Sequence, residues 1–281
     1  METQAPMRPA GSQQPELAAA EARLRATVRR YGSAVVAFSG GVDSTLVAAV
    51  AMQELGDRAL AVTGRSASLP ASEYQEAVAL AGAIGVAHLV IDTDELSRDG
   101  YVENTGDRCY HCKSELYEAL KPVATKRGAV VLNGTNADDL RDYRPGLRAA
   151  REHGVESPLV EAELGKDGVR ALSRALNLPT WDKPAMACLA SRVPLGTAVT
   201  VELLGQVEAA EAFLRSMGLR ELRVRHHGEI ARIETNESGM SLVMAQRGKV
   251  EMRLRGLGYR FVALDLGGFR SGSLNPVAGM R

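Results

Sequence analysis

The stretch Ser39-Gly40-Gly41-Val42-Asp43-Ser44-Thr45 constrains this chain more than any other. It follows the apolar run Ala34-Val35-Val36-Ala37-Phe38, which reads as a buried parallel strand, and precedes Leu46–Met52, which reads as a helix. A glycine-rich turn between strand and helix lets the backbone approach a ligand with no side chain in the way. The helix start adds unpaired N–H groups and the positive end of the peptide dipole, so the turn is an anion site. Ser39, Ser44 and Thr45 add hydroxyl donors, and Asp43 adds a carboxylate able to position a metal or a backbone turn. The ligand expected is a phosphate. The stretch lacks a Gly-Lys-Ser/Thr ending and is not GxGxxG, which separates it from the lysine P-loop and the dinucleotide fingerprint.

The elements around this turn repeat one theme. Leu17, Leu24, Val28 and Tyr31 give a helix before the first strand, and Arg58–Thr63 and Val86–Asp92 read as further strands. Between them Ser72 and Gln75 form a capping box for a helix over Glu73–Ile84. The alternation of strand and helix calls for an α/β fold, a doubly wound parallel sheet with right-handed crossovers. Residues 94–110 interrupt the pattern, a helix follows to about Lys126, and Ala129–Leu132 is a fourth strand. It ends in Asn133-Gly134-Thr135-Asn136-Ala137-Asp138-Asp139. Open α/β sheets bind ligands beyond the carboxyl ends of their strands, so this acidic turn is expected to face the crevice of the Ser39–Thr45 loop. Asp138 or Asp139 is the candidate there for Mg²⁺ or the nucleotide, with Asp139 preferred.

The reading divides the chain into a disordered leader (1–15), a nucleotide-binding domain (16–193) and a smaller C-terminal α+β domain (194–281). The last holds a helix over Val199–Met217, a strand pair over Glu221–His227 and Glu229–Thr235, a helix over 238–257 and a strand over Tyr259–Asp265. Lys+Arg and Asp+Glu balance at 34 each, which argues against a large nonspecific nucleic-acid surface. No segment reads as a membrane span or a signal peptide, so a cytoplasmic protein is expected.

Three cysteines in such a chain point to thiols for a metal or for catalysis rather than to a disulfide scaffold. Cys109-Tyr110-His111-Cys112 is a CxxC pair, which alone reads equally as a redox pair, half a zinc site or part of an iron–sulfur site. Cys188 lies far off in Pro184-Ala185-Met186-Ala187-Cys188-Leu189-Ala190-Ser191-Arg192. Both segments are expected on loops at the crevice mouth, where three thiolates would hold a [4Fe–4S] cluster and leave one iron open. The rival is a closed zinc site completed by His111 or another histidine.

Ser39–Ser44 resembles the PP-loop of the ATP pyrophosphatases, which cleave ATP between the α and β phosphates. Together with the CYHCK pair, the PAMACLASR segment and Arg223-Val224-Arg225-His226…Ala231-Arg232-Ile233-Glu234, the chain is similar to the LarE family from about Leu17 to Asn275. LarE proteins are ATP-dependent sulfur transferases that build a nickel-pincer cofactor. The resemblance implies that a carboxylate of pyridinium-3,5-biscarboxylic acid mononucleotide is adenylylated, pyrophosphate leaves, and sulfur displaces AMP to give a thiocarboxylate. In one version of the family a single cysteine gives up its sulfur and becomes dehydroalanine. In the other, three cysteines hold a [4Fe–4S] cluster whose extra sulfide is transferred. Cys109, Cys112 and Cys188 match the second, with sacrifice of Cys188 as the alternative. The implied roles are ATP on Ser39–Thr45 and Asp139, catalysis by Asp43, Cys188, Ser191 and Arg192, and the substrate phosphate on Arg223 and Arg225. Glu211 and Glu234 are candidates for Mg²⁺, while His226 and His227 receive no role. Trimer-based homo-oligomers and hand-off of product to a nickel-inserting step are also implied. Other PP-loop chemistries, tRNA thiolation or amide synthesis, are the remaining alternatives.

Overall fold

The computed structural model describes residues 13–141, 144–184 and 187–270. Most of the expected leader, Ala185, Met186 and Asn275 lie outside them. The described chain forms two compact units, one of residues 13–65, 71–93 and 109–184 and another of 66–70, 94–108 and 187–270.

In chain order the first elements are α1 (Gln13–Tyr31), β1 (Ala34–Ala37), α2 (Val42–Leu55), β2 (Ala59–Arg65), α3 (Ala71–Ile84) and β3 (Ala87–Asp92). They continue as α4 (Asp99–Val102), α5 (Arg108–Arg127), β4 (Val130–Leu132), α6 (Pro145–Glu152), α7 (Pro158–Glu161) and α8 (Lys166–Ala175). The strands make a parallel sheet of order β3-β2-β1-β4. β1 is central and buried along its whole length, so both of its faces must be apolar. Ala34 and Val36 pack into a core with α1, α2, α3 and α8, while Val35 and Ala37 pack on the other side with Tyr117, Leu120 and Ala124 of α5. Helices therefore cover both faces, as expected of a doubly wound sheet. The order reverses between β1 and β4, and the carboxyl ends of these two strands carry the Ser39–Thr45 loop and the Asn133–Asp139 turn.

The second unit adds α9 (Val201–Ser216), β5 (Leu222–His227), β6 (Ile230–Thr235), α10 (Glu237–Ala245), α11 (Arg247–Gly256) and β7 (Phe261–Leu264). β5 and β6 are antiparallel, β6 and β7 parallel, in the order β5-β6-β7. Val224, Ala231 and Ile233 face a core built with Ala210, Leu214, Val250 and Leu254. The opposite alternation along β5 carries Arg223, Arg225 and His227.

Three local expectations are corrected. α3 begins at Ala71, directly after Pro70, so Ser72 lies inside its first turn and is not the cap. Cys109 and Cys112 lie within α5, near its start, rather than on a loop. The helix expected over 238–257 is two helices, broken at Gln246, whose backbone (φ −111°, ψ 24°) leaves the helical region.

Candidate active site

Helix α2 starts at Val42 with Gly41 as its N-cap, so Asp43 and Ser44 sit in its first turn, where backbone N–H groups lack intrahelical acceptors. Gly40 is left-handed (φ 69°), and a Cβ there would meet Ala77 Cα and Cβ at 3.2 Å. Glycine is thus required twice over at this position. The two serines stitch the loop to itself: Ser39 Oγ and Ser44 Oγ are 3.1 Å apart, and Ser44 Oγ donates to the Gly41 carbonyl at 3.2 Å. Thr45 is fully buried, its Oγ1 without a partner among the described residues.

The turn after β4 closes on this loop. Asn136, 1% exposed, donates from Nδ2 to Asp43 Oδ1 at 3.0 Å. At Gly134 a Cβ would lie 2.8 Å from Ser44 N and 3.1 Å from Asp43, so the backbones touch. Asp139 is buried, accepts from Asn136 N at 3.3 Å, and is ion-paired to Arg144 at 2.9 Å. Asp138 instead accepts from Lys166 N at 2.8 Å and caps α8. Burial pushes the Asp43 carboxyl above the ordinary carboxylate range, the Asn136 bond pulls it back, and the Asp139 charge pushes it up again. Asp43 and Asp139 are the carboxylates nearest the loop in charge terms. Asp139 Oδ1, however, is paired with Arg144 and lies 3.8 Å from Lys166 Nζ, so a divalent cation held on both carboxylates would have to displace these cations.

In the second unit the segment around Cys188 is fixed by its neighbours. Arg192 Nη1 donates to the Ala187 carbonyl at 2.6 Å, the Cys188 carbonyl at 3.1 Å and Ser191 Oγ at 3.1 Å. Its Nε and Nη2 hold Glu211 Oε1 and Oε2 at 2.9 and 3.1 Å, with both side chains buried. Arg225 Nη1 donates to the Ser191 carbonyl at 2.8 Å, and its Nε to Glu234 at 3.0 Å. Glu211 also accepts from Arg215 and Val224 N, and Glu234 from Arg232. In this arrangement Glu211 and Glu234 neutralise guanidiniums, and a cation would have to displace them. Arg223 differs from its neighbours. It is 7% exposed, stacks at 4.8 Å on Phe269, and makes no ion pair among the described residues. Burial, followed by the charges of Arg225 and Arg192, holds its guanidinium below the ordinary range, although the charged form is still expected at neutral pH.

A family model described as NAD synthase matches residues 16–115, the part built around the loop. The chain is 46% identical over 257 residues to an uncharacterized protein of Synechocystis sp., covering 90% of this chain and 96% of that one. It is 42% identical over 261 residues to the pyridinium-3,5-bisthiocarboxylic acid mononucleotide synthase of Lactiplantibacillus plantarum, covering 92% of this chain and 95% of that one. The chain belongs to the LarE family. It is accordingly an enzyme of the PP-loop ATP pyrophosphatase type. A more distant match, 29% identical over 188 residues, is the tRNA-specific 2-thiouridylase MnmA of Azorhizobium caulinodans, where it covers 53% of this chain and only 48% of that protein.

Within this LarE protein the cysteines are placed as follows. Cys109 is exposed, Cys112 and Cys188 are half-buried, and none is in a disulfide. Cys109 and Cys112 are one turn apart on α5, a spacing that fits two thiolate ligands of one metal group. Cys188 belongs to the other unit, and no group of three or more His, Cys, Asp or Glu side chains is gathered among the described residues. No described helix is long and apolar enough to cross a membrane. Asn136, which reaches Asp43, is marked by no motif. The signal available for Asn136 was its place in the turn after β4.

Proposed function

We propose that this LarE protein adenylylates a carboxylate of pyridinium-3,5-biscarboxylic acid mononucleotide and replaces AMP by sulfur. The observation that carries the reading is the set of guanidiniums around the Cys188 segment. Arg192 and Arg225 are committed to backbone carbonyls and buried carboxylates, and Arg223 is left to bind an anion. A substrate bearing a phosphate supplies that anion.

The loop Ser39–Ser44 takes the phosphates of ATP, with the first-turn N–H groups of α2 facing the charge. A substrate carboxylate oxygen attacks the α-phosphorus, the bond to the bridging oxygen breaks, and pyrophosphate leaves with the electron pair. Asp43 and Asp139 would hold Mg²⁺, which supplies charge neutralisation on the phosphates. A sulfur nucleophile then attacks the acyl carbon, and AMP departs with the bonding electrons. Arg192 orients the Cys188–Ser191 backbone through that step, and Ser191 is positioned by the same guanidinium. Cys109, Cys112 and Cys188 would hold a [4Fe–4S] cluster, which supplies the sulfur when bound. The protein works as a cytoplasmic homo-oligomer and passes its thiocarboxylate to a nickel-inserting step.

The test is anaerobic protein incubated with ATP, Mg²⁺ and the biscarboxylated nucleotide. Thiocarboxylate and pyrophosphate are expected in equal amounts. Pyrophosphate formed only when tRNA or ammonia is present would replace this substrate with those of the other PP-loop enzymes.

A further inference from the structure

Lys183, on the segment after α8, reaches the pyrophosphate loop with its side chain. Its Nζ donates to the Gly40 carbonyl at 3.2 Å and contacts Glu73 Oε2 at 3.0 Å and Glu76 Oε1 at 3.1 Å. The lysine and Glu73 side chains are only 11% and 12% exposed. The backbone behind it is held too: Arg170 of α8 donates to the Trp181 carbonyl at 2.8 Å and to the Lys183 carbonyl at 3.0 Å.

We propose that Lys183 is a positioning residue of the loop, fixing the peptide plane between Gly40 and Gly41. No described peptide bond is cis, so the Gly40 carbonyl and the Gly41 N–H point in opposite directions. Holding the carbonyl toward α3 therefore aims the Gly41 N–H away from α3. Among the described residues that N–H makes only a long hydrogen bond, to Ser39 Oγ at 3.4 Å, which an anionic ligand can displace. Glycine at Gly40 permits the left-handed backbone but also permits the plane to flip. The ammonium removes that freedom before ATP arrives, and Glu73 and Glu76 on α3 anchor it. A pre-oriented donor lowers the ordering cost of binding.

The inference rests on the loop binding ATP phosphates, and the test separates the two. Hydrogen exchange of the peptide covering Phe38–Leu46 is followed in the ATP-free wild type and in Lys183→Ala, Lys183→Arg and Glu73→Gln, each checked for folding by its melting curve. Exchange is expected to be faster in Lys183→Ala, intermediate in Glu73→Gln and close to wild type in Lys183→Arg. The KM for ATP is expected to rise about tenfold in Lys183→Ala, the effect of one charge-assisted hydrogen bond, with the KM for the nucleotide substrate unchanged. Unchanged exchange in ATP-free Lys183→Ala overturns the positioning role even if KM rises, because the lysine then acts on the ligand itself. If Lys183→Ala fails to fold, Glu73→Gln decides by the same exchange readout. Failure of MgATP to protect the wild-type loop would instead reject the phosphate site.

Discussion

Asn136 donates to Asp43 across the point where the sheet reverses order, joining the turn after β4 to the first turn of α2 at 3.0 Å. The bond favours the ionised form of a carboxyl that burial and the Asp139 charge both disfavour. The native state thus raises the Asp43 pKa, and ionisation of this group destabilises the ATP-free fold as pH rises through it. Asp43→Asn is expected to raise the melting temperature of the ATP-free protein at pH 7 while reducing pyrophosphate release by about 10²-fold or more. Asn136→Ala removes the stabilising bond, so the acid limb of the ATP-dependent rate should move to higher pH. A limb that stays in place would deny Asp43 a role in the rate.

Gly134 offers a steric test of the same junction. Its missing Cβ would sit 2.8 Å from Ser44 N, a backbone atom that cannot move without moving the loop. Gly134→Ala should cost about 1–3 kcal/mol in denaturant unfolding, as overpacking does, and weaken ATP binding as well. Loss of stability with ATP affinity intact would mean that the strain relaxes into β4 instead.

Much of this geometry follows from the sequence because it is local. The apolar run Ala34–Phe38 and the glycines after it specify strand, turn and helix, and the switch point follows from the alternation of elements. Other features are long-range and escape such reading. Glu211 meets Arg192 nineteen residues earlier, and Glu234 is opposite Arg223 in register yet binds Arg225 diagonally across the hairpin. Nothing in the spacing separates a buried counter-ion from a metal ligand. Lys183 acts 143 residues from Gly40, with no periodicity to reveal it. The helical setting of Cys109 and Cys112 was missed because Gly106 and the polar residues before them read as loop.

The two arginines of β5 are expected to fail differently. Arg223→Ala should raise the KM for the nucleotide substrate about 100-fold, consistent with loss of a charge-assisted phosphate contact, with little effect on the KM for ATP. Arg225→Ala removes a guanidinium that neutralises the buried Glu234 and should destabilise by about 3–5 kcal/mol. Equal losses of stability in both variants would remove the distinction drawn between an anion receptor and a structural ion pair.

Burial disfavours the charged form of three histidines. His226, His227 and His88 are all pushed below the ordinary value of 6.5, with burial the largest cause in each case. Depressed histidines contribute stability that is present above pH 6.5 and lost as pH falls, because the unfolded chain binds the extra protons. Denaturant midpoints should therefore fall between pH 7 and pH 5. His226, 9% exposed and 5.7 Å from the Tyr259 ring, is the one to replace. His226→Gln should flatten that slope, and an unchanged slope would place the titration elsewhere.

Cys109 and Cys112 stand one turn apart on α5, whereas Cys188 comes from the other unit. If the three thiols share one [4Fe–4S] cluster, Cys109→Ser and Cys112→Ser should each lose iron, acid-labile sulfide and sulfur transfer, yet still release pyrophosphate in a first turnover. That residual release is expected because the ATP site on Ser39–Ser44 is built from other elements. Metal and sulfide analysis of anaerobic protein checks the first part, and a single-turnover pyrophosphate assay the second. One equivalent of zinc in place of iron would identify a structural site. A mass spectrum after one turnover then decides the source of sulfur. An unchanged polypeptide mass is expected, whereas a chain lighter by one H₂S would show that Cys188 had supplied the atom and become dehydroalanine.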